Sequence, residues 1–207
     1  MTVTVIDHPL VADRLATLRA KSTGRADFRR ALHEISLLLV YEALRDQPVT
    51  AIDLDTPMAP ASGRRLTELP VVVPVVRAGL GMLDAALTLL PDARVAFVGA
   101  KRNEATFEAD VYLNTVPDEL DGRRAVVLDP MLATGGSLVQ TCGLLADAGC
   151  VHLTVVTVLA APEGIAAFEA NGFDATVITG AIDRNLDANA FIVPGLGDAG
   201  DRQFGLA

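Results

Sequence analysis

The side chains in this 207-residue chain that could do chemistry gather in four short stretches, each rich in charge and in small residues. The fullest is Asp129–Ser137, DPMLATGGS. Asp129 closes a β-branched apolar run, Val126–Leu128, and Ala133, Thr134, Gly135, Gly136 and Ser137 are all small. From Leu138 the spacing turns helical, through Val139, Cys142, Leu144 and Leu145. A buried strand that feeds a small-residue loop, which in turn opens a helix, is an anion site in outline. The first amides of a helix have no intrahelical partner, and the helix dipole is positive there. Glycines let the backbone close on an anion without Cβ atoms in the way. A bare strand-to-helix turn is the plain alternative, but it gains nothing from an acid, a threonine and a serine at one loop mouth. The P-loop requires a lysine after its last glycine, and here Gly136 is followed by Ser137 and Leu138. The dinucleotide fingerprint G-x-G-x-x-G fails on the adjacent glycines.

The second stretch is Arg77–Gly81, RAGLG. It follows another apolar run, Leu69–Val76, and precedes a helical pattern of Met82, Leu83, Ala86, Leu87 and Leu90. This loop could take a second anion, with Arg77 supplying charge; a surface salt bridge is the other use for that arginine. The third stretch, Lys101, Arg102, Asn103, Glu104 and Thr106, breaks sharply from the apolar run Val95–Ala100 before Val111–Asn114 resumes an extended pattern. A polar arm between two extended segments suits a mobile flap over a site, or a solvated hairpin tip. The fourth is the tail, Phe191–Gly205, FIVPGLGDAGDRQFG. Its glycines and Pro194 argue against any regular element. Its lack of Ser/Lys/Glu bias argues against disorder. Glycines beside Asp198 indicate backbone brought close to a small ligand, or a surface Ω-loop.

The elements that must position these stretches follow from periodicity. Thr2–Arg19 contains His8, Pro9 and Leu10, then an amphipathic stretch with Leu10, Val11, Leu15 and Leu18 on one side. His8 reads as a surface or interface residue beside a helix start. Asp27 reads as the cap of a second helix running to about Arg45. Val49–Thr67, with Pro57, Pro60 and Gly63, reads as a peripheral hairpin without evident chemistry. Pro74, lacking a ladder donor, places Leu69–Val76 at a sheet edge or near a bend at the strand end. Val151–Leu159 and Ala175–Thr179 are further strands, separated by a helix that stops at Asn171–Gly172. Gly149 is the left-handed stop of the preceding helix. Strands alternating with helices from 69 to 180 imply parallel βαβ units. In such sheets ligands sit beyond the carboxyl ends of the strands. The loops at Arg77, Arg102 and Asp129 all leave such ends and can meet in one crevice.

Composition narrows the partners. The formal net charge is −9, the isoelectric point is near 4.7 and mean hydropathy is +0.38. A binder that neutralises nucleic-acid phosphates would be basic, so nucleic acid is not expected as a partner. No stretch reaches about 18 uncharged apolar residues, so no membrane partner is expected. The first residues show no cleavable apolar run, and cytoplasmic residence is expected. Cys142 and Cys150 sit among apolar residues and read as free thiols.

Taken together, these motifs resemble the uracil phosphoribosyltransferases, a branch of the type I phosphoribosyltransferases. DPMLATGGS matches their ribose-5-phosphate loop, with Pro130 where the wider family places a second acid. Val75–Met82, VVRAGLGM, matches the pyrophosphate loop. Arg102–Thr106 matches R-N-E-x-T, Ala160–Ile165 matches A-A-P-E-G-I, and Pro194–Asp201, PGLGDAGD, matches the uracil loop. The resemblance runs from His8 to Gly205 and is weakest over residues 46–69 and 108–124.

The resemblance implies an α/β fold: a mostly parallel sheet flanked by helices, with a peripheral hairpin or hood and a flexible flap. It implies one domain over residues 1–207, comprising N-terminal helices (1–46), a parallel core (69–180) and a base-binding C-terminal loop (181–207). The implied reaction joins uracil to 5-phosphoribosyl diphosphate, giving uridine monophosphate and diphosphate, with Mg²⁺ carried by the diphosphate and no metal ligands on the protein. By position, Arg77, Arg102, Asp129, Pro130, Met131, Leu132, Ala133, Thr134, Gly135, Gly136, Ser137 and Asp198 bind the phosphoribosyl diphosphate. Ile192, Gly197, Asp198 and Ala199 contact uracil, and Asp198 and Arg102 are the catalytic candidates. A homodimer or larger homo-oligomer is implied, with GTP as a candidate activator, though no sequence feature locates a GTP site. Two other readings remain: a phosphoribosyltransferase for another base, and a non-enzymatic, RNA-binding regulator on the same fold. The acidic charge and the complete set of site motifs stand against the regulator.

Overall fold

The computed structural model describes residues 1–102 and 109–205, with Lys101, Arg102 and Ala109 described by their backbone alone. The chain opens with strand β1 (Thr2–Val5), helices α1 (Pro9–Arg19) and α2 (Arg25–Ala43), and an exposed antiparallel hairpin, β2 (Val49–Asp55) with β3 (Pro60–Leu66). Then come β4 (Val71–Val76), α3 (Leu80–Leu89), β5 (Val98–Arg102), β6 (Ala109–Asn114), β7 (Arg124–Leu128) and the short β8 (Met131–Leu132). Next are α4 (Gly136–Asp147), β9 (His152–Ala160), α5 (Pro162–Glu169) and β10 (Ala175–Ile182). A small pair, β11 (Asn185–Leu186) with β12 (Ile192–Val193), and α6 (Ala199–Phe204) complete the described chain.

Seven strands run in the order β1-β10-β9-β7-β4-β5-β6, with β8 paired to β9. Every pair in this sheet is parallel except β5 with β6. The uninterrupted apolar runs of the sequence are explained by burial on both faces, since successive strand residues point to opposite sides. Val72, Val126, Leu128, Val156 and Val158 pack with Leu15, Phe28, Leu32, Ile35, Leu39 and Met82 of α1, α2 and α3. Their neighbours Val71, Val73, Val127 and Val155 pack with Leu138, Cys142, Leu145 and Phe168 of α4 and α5.

Thr2–Val5, to which the sequence pattern gives no element, is an edge strand paired with β10. The structure corrects three expectations. Helix α2 begins at Arg25 behind Gly24, and Asp27 lies within its first turn, bonded to Arg30 instead of capping. β4 is interior to the sheet, between β7 and β5. The cost of Pro74 appears near the strand end: pairing to β5 breaks between the Val72–Val95 bridge and Val75–Val98. The tail forms a regular element after all, α6. The glycines outweighed its start signal, Asp198, whose side chain accepts from the Asp201 N–H at 2.8 Å, and its stop, Gly205 in the left-handed region.

Other expectations hold. His8 caps α1, its Nδ1 accepting from the Leu10 N–H at 3.1 Å. Gly149 and Gly172 adopt positive φ after α4 and α5. Among the described residues no helix is long and apolar enough to cross a membrane. Truncating Phe28, fully buried where α2 meets the sheet, should remove about 3–5 kcal/mol of stability. A urea midpoint for Phe28→Ala within error of the parent would show that this contact does not support the fold.

Candidate active site

The loops after β4 and β7 and the segment from Ala190 to Asp201 open on one cleft of about 460 Å³. An adjoining hollow of about 490 Å³ shares Arg77, Asp129, Ser137 and Asp198 with it and extends to Ala100 and Tyr112 on β5 and β6. Arg77 and Asp129 therefore face shared space beside Asp198, as convergence at the carboxyl edge of a parallel sheet requires.

The loop Ala133–Ser137 forms one wall. Gly135 stands before α4 with φ of +87°, a conformation a side chain would strain, and this turn starts the helix beside the cleft. The N–H groups of Thr134 and Gly135 and the hydroxyls of Thr134 and Ser137 bond to no other described residue. The first amides of α4 add their own unmet donors. The wall is thus lined with donors awaiting an anion.

Asp129 is 9% exposed. Its carboxylate accepts from the Met131 N–H at 3.2 Å, and its own N–H donates to the Val156 carbonyl at 3.2 Å. Burial pushes its carboxyl up to about 7; the Met131 N–H works against this and the nearby Asp198 charge adds to it. Arg77 reaches Asp201 at 3.4 Å while lining both hollows, so it forms a salt bridge and also faces the cleft. Asp198 caps α6 with one carboxylate oxygen.

Of the residues expected to bind, Arg77, Asp129, Met131, Ala133, Thr134, Gly135, Gly136, Ser137, Ile192, Gly197, Asp198 and Ala199 line the cleft. Pro130 and Leu132 do not. The Pro130 carbonyl accepts from the amides of Val158 and Leu159, and the Leu132 carbonyl accepts from that of Ala161. These two residues dock the loop onto β9, with Leu132 fully buried. Arg102 ends β5, but its side chain and residues 103–108 of the expected flap lie outside the described residues. His152 lies at the start of β9 beside Asp174, and neither lines the cleft. Sequence reasoning missed six wall residues, Ala78, Leu138, Ala190, Phe191, Gly200 and Asp201, of which Asp201 alone is charged. Its spacing in Asp198-Ala-Gly-Asp201, a cap residue followed three places on by a second acid, was the available signal.

A family model for uracil phosphoribosyltransferase matches residues 5–206. The chain belongs to the uracil phosphoribosyltransferase family. A uracil phosphoribosyltransferase of Streptomyces griseus subsp. griseus is 49% identical over 210 residues, covering all of both chains. The solved structure of the AQ2163 protein from Aquifex aeolicus superposes with a TM-score of 0.93 at 37% identity, covering 100% of this chain and 99% of that one. An adenine phosphoribosyl transferase from Trypanosoma brucei shares the fold at a TM-score of 0.57 and 14% identity, covering 95% of this chain and 88% of its own. The mostly parallel sheet flanked by helices is thus the type I phosphoribosyltransferase fold, carrying the motifs of the uracil phosphoribosyltransferase branch.

The state of Asp129 can be read without any ligand. Its folded pKa of about 7 lies above the unperturbed 3.8. The folded state therefore holds this proton more tightly, and the group withdraws stability as pH rises from about 4 to about 7, with no further loss above that. The melting temperature of Asp129→Asn minus that of the parent should climb across this window and then level off. A difference independent of pH would show that the carboxyl titrates normally.

Proposed function

We propose that this chain transfers the 5-phosphoribosyl group of 5-phosphoribosyl diphosphate to uracil, giving uridine monophosphate and diphosphate in pyrimidine salvage. The observation that carries this reading is a cleft shared by the Thr134–Ser137 loop and the Gly197–Ala199 segment, in a chain that the family model matches over residues 5–206.

The C1–oxygen bond to diphosphate breaks, the bond from uracil nitrogen to C1 forms, and that nitrogen loses its proton. Positive charge grows on the sugar and negative charge on the departing diphosphate, so groups aimed at either end lower the barrier. Arg77, and Arg102 by its place in the motif, meet the diphosphate. Asp129 accepts from the ribose hydroxyls, and the amides and hydroxyls of Ala133–Ser137 hold the 5-phosphate. Anchoring that remote phosphate orients C1 toward the base. Gly197, Asp198 and Ala199, with Ile192, read uracil, a flat ring with two carbonyls and two N–H groups. Backbone donors and acceptors match that pattern and leave an exocyclic amino group unpaired. Asp198 faces both substrates and is the residue placed to orient the base.

Mg²⁺ enters with the diphosphate. The ion would be held by the diphosphate, and Asp198 on the cleft would hold one of the waters the ion keeps beside substrate phosphates. When bound, the ion neutralises diphosphate charge.

The chain works as one catalytic domain in the cytoplasm, a setting that suits its two free thiols. It acts as a homodimer or larger homo-oligomer, for which Tyr41 and Met58, 63% and 92% exposed, offer apolar surface. Family membership alone supports GTP as an activator.

Supplied with phosphoribosyl diphosphate and Mg²⁺, the purified protein should form a nucleotide from uracil and none from cytosine, hypoxanthine or orotate. Preferential turnover of another base, or of none, would overturn the reading. Arg77→Ala should lower turnover by about 10²- to 10³-fold with a smaller change in uracil KM. Unaltered steady-state kinetics would remove Arg77 from the mechanism.

A further inference from the structure

The segment proposed to read uracil is held in place by residues far from it in sequence. Arg19, the last residue of α1, grips Asp183 with both guanidinium nitrogens, at 2.7 and 2.5 Å. Asp183 follows β10 directly, and its N–H donates to the Ala160 carbonyl at 2.8 Å, which ties it to the end of β9. Its side chain is 6% exposed. Burial would push this carboxyl up, but the hydrogen bonds from Arg19 and Gly195 and the Arg19 charge outweigh it and hold the group below its ordinary value. The pair is therefore an ionised, bidentate clamp anchored to the sheet on one side and to α1 on the other.

The clamp grips Gly195. The Gly195 N–H donates to Asp183 Oδ2 at 2.8 Å, and its carbonyl accepts from Arg19 Nη1 at 2.8 Å. Gly195 has φ of +63°, and a Cβ there would overlap the Ile192 carbonyl. The next carbonyl, Leu196, accepts from Arg202 Nη1 at 2.9 Å. Arg202 also bonds to the carbonyls of Leu18, Ala20 and Thr23 at the exit of α1 and lies 4.4 Å over the Phe28 ring. Beyond these two fixed residues, the N–H and carbonyl of Gly197 bond to no other described residue. Gly197 itself lines the cleft, so an unmatched donor and acceptor stand at its wall.

We infer that Arg19 and Asp183 are positioning residues for the base: by holding Gly195 at both backbone groups, their ion pair sets Gly197–Ala199 where a planar diketo base can be read. This rests on the proposed uracil site. Backbone groups cannot change rotamer to follow a displaced ligand, so a shift at Gly195 moves the donors and acceptors themselves. The phosphate loop after β7 makes no contact with the clamp in the hydrogen bonds described, so the effect is confined to one substrate.

The test is steady-state kinetics of two variants. Asp183→Asn keeps the shape and removes the charge. Arg19→Lys keeps the charge but has no fork to span the carboxylate and the Gly195 carbonyl. Both should raise uracil KM by about 10- to 100-fold. Phosphoribosyl diphosphate KM and kcat at saturating uracil should stay within about threefold. Combining Arg19→Lys with Asp183→Asn should cost no more than the worse of the two alone, as for partners in one interaction. Unchanged uracil KM, or equal rises in both KM values, would overturn the inference. If Asp183→Asn does not fold by circular dichroism, Arg19→Lys decides by the same split. A parent protein that turns over no uracil would defeat the function reading instead, and the parent assay alone shows that.

Discussion

Burial of the central sheet on both faces confines the chemistry of this molecule to one edge. Val71–Val75 and Ala125–Leu128 send alternate side chains into two separate apolar layers, under α1–α3 on one face and α4–α5 on the other. Strands so enclosed have no polar face to offer. Charge and unpaired amides then gather where the strands end, while hydroxyls buried inside β9 and β10, those of Thr157 and Thr179, are spent on the Leu159 and Ala181 carbonyls. Arg77, Asp129 and the Ala133–Ser137 loop sit immediately after β4 and β7 for that reason, and the tail folds back to meet them.

An acidic chain that handles polyanions must do so with local fields. A net charge of −9 works against the substrate at long range. At close range the cleft presents the first turn of α4, unengaged loop amides and Arg77. Such donors are worth more in a partly enclosed site than in water. The acids there are not idle negative charge. Asp198 is spent in part as a helix cap, and Asp201 is paired with Arg77. Burial raises the Asp129 carboxyl to about 7, so that near neutral pH it carries only part of a negative charge. Each carboxylate is thereby partly neutralised before any phosphate arrives.

Two segments meet in the cleft, the loop proposed to hold phosphate and the one proposed to read the base, and they are built differently. The phosphate loop rests on β9 through Pro130 and Leu132, so its position is inherited from the sheet. The base segment has no strand beneath it. It is held instead by side chains from elsewhere: Arg19 and Asp183 on Gly195, Arg202 on Leu196, and Gln203, whose amide donates to the Ala78 carbonyl beside Arg77 at 3.0 Å. These ties satisfy the polar groups of the segment that do not face the ligand and leave the others open.

The sequence by itself determined the parallel core, the anion loop and the identity of most cleft residues. Those properties are local: apolar runs make buried strands, small residues at a strand end make a phosphate turn, and PGLGDAGD is contiguous. It misjudged what depends on partners. The place of β4 inside the sheet despite Pro74 was decided by pairing, because β5 breaks its ladder where the proline lacks a donor. Thr2–Val5 carried no reading in the sequence, and pairing to β10 made it a strand. The helix in the tail was masked by glycines, although Asp198 and Gly205 carried its start and stop. Only the tertiary structure joined Arg19 to Asp183 and both to Gly195, and only it paired Arg77 with Asp201. No periodicity records a contact between side chains from distant parts of a chain; folding brings them together by satisfying polar groups that would otherwise be buried alone.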